Sequence, residues 1–327
     1  MFDNSLRRAR TAVGTVVVGV VVSLLSAGTP AQATEVLPYV PWSSYLSGWT
    51  DEYVPTSDND CVAGRANCLK GTLKEQSRIA DDTARACSHN AVFARAYVRM
   101  TQLYGYTREI PGYYQDVPYF NHVDAVFARY YTDAYDGWKR GDRAAVPQSW
   151  LLAFDAADAR KVSGSGDLLL GMNAHINRDL PYVMAAAGLV APDGTSRKAD
   201  YDAVEKWLYD ATAPLIAELA TRFDPTMDDT ADPFGIGNWT LFQLVSGWRE
   251  QAWRNAEALV SASTPEARAV VEANIEANAD SIARGLLASQ SYGLLSSTAP
   301  RDSYCAAHNG DAPPVAYDFG YATAWGY

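Results

Sequence analysis

From about residue 69 to residue 289, apolar residues recur at intervals of three and four, with short breaks. That is the spacing of helices with one buried face. Helices are predicted over about 85–104, 119–138, 147–161, 167–187, 198–223, 239–260 and 263–288. In the first, Val92, Phe93, Ala96 and Met100 share a face. The second follows the turn signals Pro111-Gly112 and Pro118, the third carries Pro at its first turn, and the fourth follows the break 163–166. In the fifth, Tyr201, Val204, Leu208, Ala211, Leu215 and Leu219 form a continuous stripe, and Pro214 is expected to kink or interrupt it. The seventh opens on Ser263-Thr264-Pro265-Glu266, a capping sequence. No hairpin signal and no internal repeat occur. The pattern predicts an all-α fold, a single multi-helix bundle of about seven helices.

The ends of the chain read differently. Arg7, Arg8 and Arg10 precede an apolar stretch over 12–27, and Pro30-Ala31-Gln32-Ala33 offers small residues for cleavage. This is the three-part pattern of a secretory signal, and the stretch is shorter than the ~20 residues of a membrane span. The expectation is a cleaved leader at 1–33, an extended lead-in over 34–68, a helical domain over 69–290 and a tail over 291–327 docked on it. The mature chain carries no predicted membrane span. Its secreted location follows from the leader.

Charge narrows the partners. Of 27 basic and 38 acidic residues, the leader holds three and one, so the mature chain has a formal charge of −13. Such a chain repels nucleic acid and anionic membranes, and no Lys/Arg run offsets this. The expected partner is a small-molecule substrate or ligand; the oligomeric state is not encoded in any visible pattern. Cys61, Cys68, Cys87 and Cys305 form an even set in an exported chain, which favours disulfides. Of the three pairings, Cys61–Cys68 and Cys87–Cys305 are favoured. The spacing C-x6-C lacks the close pairs of zinc sites.

The fourth helix carries the candidate chemistry. Between apolar flanks it places Asn173, His175, Asn177 and Asp179. Burying such groups costs several kcal/mol unless each is partnered. His175 and Asp179 share a helix face, Asn173 and Asn177 form a second ridge, and Pro181 frees the carbonyl of Asn177. A carboxyl, an imidazole and a free carbonyl suit a divalent metal, zinc or another. They equally suit a hydrogen-bonded network. His89, in Cys87-Ser-His-Asn90, and Asp124, in Phe120-Asn-His-Val-Asp124, are candidates to complete a metal shell. His122 and Asp124 point different ways, so one at most faces His175, and Asp124 is favoured. In Trp248-Arg249-Glu250-Gln251-Ala252-Trp253, Arg249 is a candidate clamp for Asp179 or a ligand carboxylate, and Trp248 and Trp253 are candidate walls.

The stretch Leu169-Leu-Gly-Met-Asn-Ala-His-Ile-Asn-Arg-Asp-Leu-Pro181 resembles the signature of an actinobacterial family of uncharacterised exported helical proteins. The likeness spans roughly 70–262. It implies a helical fold and supplies no activity. The H-x-x-x-D step is more distantly similar to zinc-dependent phospholipases C and P1-type nucleases. The chain departs from these in lacking an N-terminal Trp ligand, further histidines and the H-Q-P-x-H continuation.

Three readings follow. In a metal-dependent hydrolase, His175, Asp179, His89 and Asp124 hold a metal whose water is the nucleophile, and Arg249 stabilises developing charge. In a metal-free binding protein or acid–base enzyme, His175 is the base, Asp179 orients it, and Asn173, Asn177, Trp248 and Trp253 line the pocket. In a structural protein, the polar cluster only fixes helix register.

Overall fold

A computed structural model of the chain describes residues 48–230, 236–293 and 298–314. The stretch expected to be a leader, residues 34–47 and the terminal aromatics from 315 lie outside the described residues. Nine helices are present among them. They are α1 (Cys68–Arg85), α2 (Ala91–Thr107), α3 (Val117–Arg140), α4 (Gln148–Asp158), α5, α6 (Lys198–Arg222), α7 (Ile236–Ser261), α8 (Pro265–Gln290) and α9 (Ala299–His308). The fifth, α5, is built of three consecutive pieces: Gly164–Asn173, a π-helical segment Ala174–Asp179, and Leu180–Ala187. No strand occurs among the described residues, only two isolated bridges. The fold is an all-α bundle.

Local chemistry sets the helix ends. The Asp116 side chain accepts from the Tyr119 amide to open α3, and Gly141 closes that helix at φ 80°. Ser163 caps α5 through the Gly166 amide, and Thr264 caps α8 through the Ala267 amide with Pro265 in the first turn. The α5 π-segment lies directly ahead of Pro181, which has no amide to donate. The Leu180 amide donates instead to the His175 carbonyl, five residues back. α6 runs unbroken through Pro214, so the interruption predicted there does not occur. The two helices beyond the predicted seven are α1 and α9. The short α9 lies in the tail that pattern alone describes as docked coil.

Packing centres on α5. Its first piece and α4 lie under α8, its last piece packs on α7, and α1 and α6 flank α2. One core cluster gathers Phe93, Tyr97, Tyr131, Trp150, Phe154 and Leu170. Another gathers Tyr119, Phe120, Val183, Met184, Tyr201 and Trp253. Gly171 lets α5 approach α2: a Cβ there would sit 2.4 Å from the Phe93 ring.

Both favoured disulfides form. Cys61–Cys68 ties the lead-in to the start of α1 across seven residues, and Cys87–Cys305 ties α9 to the α1–α2 junction across 218. Beside the second bridge, buried Arg301 of α9 sits 2.8 Å from Asp167 and 2.9 Å from His89 Nδ1. In the chain-entropy account, removing a bridge costs more for a longer loop. The Cys87→Ser/Cys305→Ser pair should lose about 5 kcal/mol and the Cys61→Ser/Cys68→Ser pair about 2 kcal/mol. Urea unfolding of both variants against the parent checks the ratio.

Candidate functional site

The polar residues of α5 divide into two ridges, as their spacing predicts. Asn177 Nδ2 donates to Asn173 Oδ1 at 3.0 Å, and Asn173 Nδ2 donates to the Ala279 carbonyl of α8 at 2.8 Å. These two amides join α5 to α8 and do not line the cavity described below.

On the other ridge, Asp179 has no exposed surface. Trp150 Nε1 of α4 donates to its Oδ2 at 2.8 Å, and Arg178 Nη1 donates to Oδ1 at 3.0 Å. His175 Nδ1 lies 3.1 Å from Oδ2. Arg178 Nε continues to Glu276 of α8 at 2.9 Å. Both carboxyl oxygens therefore accept N–H donors.

His175 is 3 % exposed, and burial pushes its pKa down despite the adjacent carboxyl. The Phe127 ring of α3 stacks flat on the imidazole, with centroids 3.5 Å apart and planes at 5°. Tyr97 of α2 meets it edge-on at 4.5 Å. With the proton on Nδ1 directed to Asp179, Nε2 is an acceptor, and it has no hydrogen-bond partner among the described residues.

His175 and Phe127 are part of the wall of a cavity of about 200 Å³ between α2, α3, α5, α6 and α7. Its lining is almost wholly apolar: Phe93, Tyr97, Met100, Phe120, Met172 and Met184 are representative. Asp124 of α3 also lines it. Among the described residues its carboxyl makes no hydrogen bond and no ion pair. Burial raises its pKa to about 7, against the smaller pull of Arg108. Its side chain keeps some accessible surface because it opens on the cavity. His122 points away: its ring nitrogens lie 2.9 Å from the Asp51 carbonyl and 3.1 Å from that of Cys61. Of the pair His122 and Asp124, it is thus Asp124 that shares a cavity with His175.

Other expectations need correction. His89 does not line this cavity. Its Nδ1 faces Arg301, its Nε2 lies 3.0 Å from Asp302, and burial, then Arg301, lowers its pKa to about 4. Arg249 lines the cavity without clamping Asp179. Its Nη2 donates to the Tyr201 carbonyl, the guanidinium stacks 4.2 Å over the Tyr201 ring, and Nε lies 3.5 Å from Glu205. Trp253 packs on Tyr201 at 5.0 Å and donates to Glu257, while Trp248 is half-buried; neither lines the cavity. Tyrosines do line it, with phenylalanines, methionines and aliphatic side chains in place of the two tryptophans.

The expected metal shell does not assemble. Among the described residues, no group of three or more His, Cys, Asp or Glu is placed to hold a metal ion. The donor chemistry explains why. Asp179 already accepts three N–H groups, and both ring nitrogens of His89 are engaged. Phe127 shares the inward stripe that favoured Asp124; Trp150, Tyr97 and Arg178 are functional neighbours that the spacing did not single out. Of these three, only Arg178, inside the singled-out motif, had a local signal.

A profile of the Family of unknown function (DUF5995) matches residues 69–289. The chain belongs to that family. No curated protein and no solved structure matches it. The DUF5995 region takes in α5, the cavity walls and the Asp179 network. All the cavity-lining residues described above fall within that family region.

Two outcomes follow for stability. Between pH 4 and 7 the unfolded chain has lost the Asp124 proton while the folded chain keeps it. That carboxyl therefore makes stability fall as pH rises through this window, and its cost is complete above about pH 7. Asp124→Asn should raise stability at pH 8 by ~2–4 kcal/mol and remove this component of the pH slope. Urea unfolding at pH 5 and 8 reads both. Trp150→Phe, which withdraws a donor from Asp179, should cost about 2–4 kcal/mol in the same assay.

Proposed function

We propose that this protein is an exported small-molecule-binding protein whose ligand occupies the cavity between α2, α3, α5, α6 and α7. Asp124 carries the reading. A carboxyl without a partner among the described residues, on a wall that is mostly apolar, costs the fold stability. Groups of that kind are characteristic of binding sites. The Asp179 network supports a supporting role for the α5 motif: it holds the wall rigid and leaves the contact with ligand to the cavity side chains. Export is supported by the leader pattern and by two disulfides, which suit an oxidising compartment.

A second reading, metal-free acid–base catalysis in the same cavity, rests on His175. Its neutral ring, oriented by Asp179, has an acceptor nitrogen without a partner among the described residues. Phe127 covers one face of that ring, so a substrate would have to reach the nitrogen past the stack.

The size of the cavity sets the test. A cavity of ~150 Å³ lined by apolar side chains accepts benzene, so molecules of about ten heavy atoms suit this one. A panel of aryl compounds of that size, neutral and charged, should include members that raise the thermal midpoint of the full chain at millimolar concentration. Ala96, on the lining, gives the control: Ala96→Leu should abolish the shift while the protein stays folded. A panel with no active member, or shifts that survive Ala96→Leu, removes cavity binding as the function.

A further inference from the structure

We propose that the ligand of this cavity is a small organic ammonium ion, seated against Asp124 inside a collar of aromatic rings. The proposal rests on the cavity-binding reading above and names the ligand class.

The collar follows from helix spacing. Phe120, Asp124 and Phe127 stand at i, i+4 and i+7 on α3, one face of the helix, and all three line the cavity. Opposite them, Tyr97 and Tyr104 of α2 stand seven residues apart and line it too. Both tyrosines feel the Asp124 charge, which adds to the effect of burial in raising their hydroxyl pKa values. Phenolic and phenyl rings around one carboxylate offer a cation a charge partner and several π faces at once.

The other charge on the lining does not compete. Arg249 is stacked on Tyr201, donates to the Tyr201 carbonyl and lies against Glu205, so its positive charge is already countered. Arg108 spends hydrogen bonds on Asn121, Ala66 and Glu109. A carboxylate ligand would face the Asp124 charge, and an alcohol would leave that charge without a counterion. An ammonium ion alone satisfies it. The protein's formal charge of −11 also favours the approach of cations.

Calorimetric titration of the full chain at about pH 8 with three near-isosteres separates the possibilities: 2-phenylethylammonium, 2-phenylethanol and phenylacetate. The ammonium ion should bind at least tenfold more tightly than the alcohol, with phenylacetate weakest. In Asp124→Asn, which should fold more stably than the parent, the preference of ammonium over alcohol should collapse to within about threefold. An alcohol or carboxylate that binds as tightly as the ammonium ion overturns the ammonium assignment and leaves cavity binding standing. So does an ammonium preference that persists in Asp124→Asn. Absence of binding by all three overturns the assignment, and inactivity of the wider aryl panel as well removes the cavity reading beneath it.

Discussion

Three N–H groups from three directions converge on one buried carboxyl, Asp179, and the arrangement of α4, α5 and α8 depends on that convergence. Trp150 brings α4 against α5. Arg178 carries the link on to Glu276 of α8. His175 is fixed in plane, which in turn fixes the Phe127 stack and the position of α3. A carboxyl so deeply buried is tolerable only because it is saturated: withdrawing any one donor exposes the desolvation cost that the other two offset. The π-helical turn belongs to the same constraint. Pro181 has no amide, the helix widens by one residue, and His175 and Asp179 still meet on one face.

Two kinds of buried polar group coexist within one helical core, and they have opposite energetic character. The Asp179 network and the Asn173–Asn177–Ala279 chain hold helices together, leaving only Asn177 Oδ1 and His175 Nε2 without a partner among the described residues. Asp124 closes on nothing among the described residues. A saturated group is what a scaffold requires, whereas an unsatisfied one is tolerated where something outside the fold completes it. Of the Asp179 network only His175 lines the cavity, and it stacks on Phe127 of α3, the helix that carries Asp124.

A separate buried cluster anchors the tail. Arg301 meets Asp167 and His89, and His89 continues to Asp302, next to the Cys87–Cys305 bridge. This explains how a histidine on the α1–α2 junction, which has the right chemistry for a ligand, serves packing instead. Spacing along the chain gives no hint of it, because the two residues that hydrogen-bond to its ring lie more than two hundred residues away.

The periodicity of apolar residues determined seven of the helices, and the cysteine pattern pointed to the two bridges. The crowding of Asn, His and Asp into α5 identified the polar centre. These are local properties: a repeat of 3.6, a spacing of four and a proline without an amide act wherever the chain folds. The tertiary structure decided what each polar group does. It assigned Asp179 to a closed network, His89 to the tail anchor, Trp253 to the core and Asp124 to the cavity. Those roles turn on which distant donors arrive within about 3 Å, and hydrogen-bond reach is set by packing between helices and not by position within one.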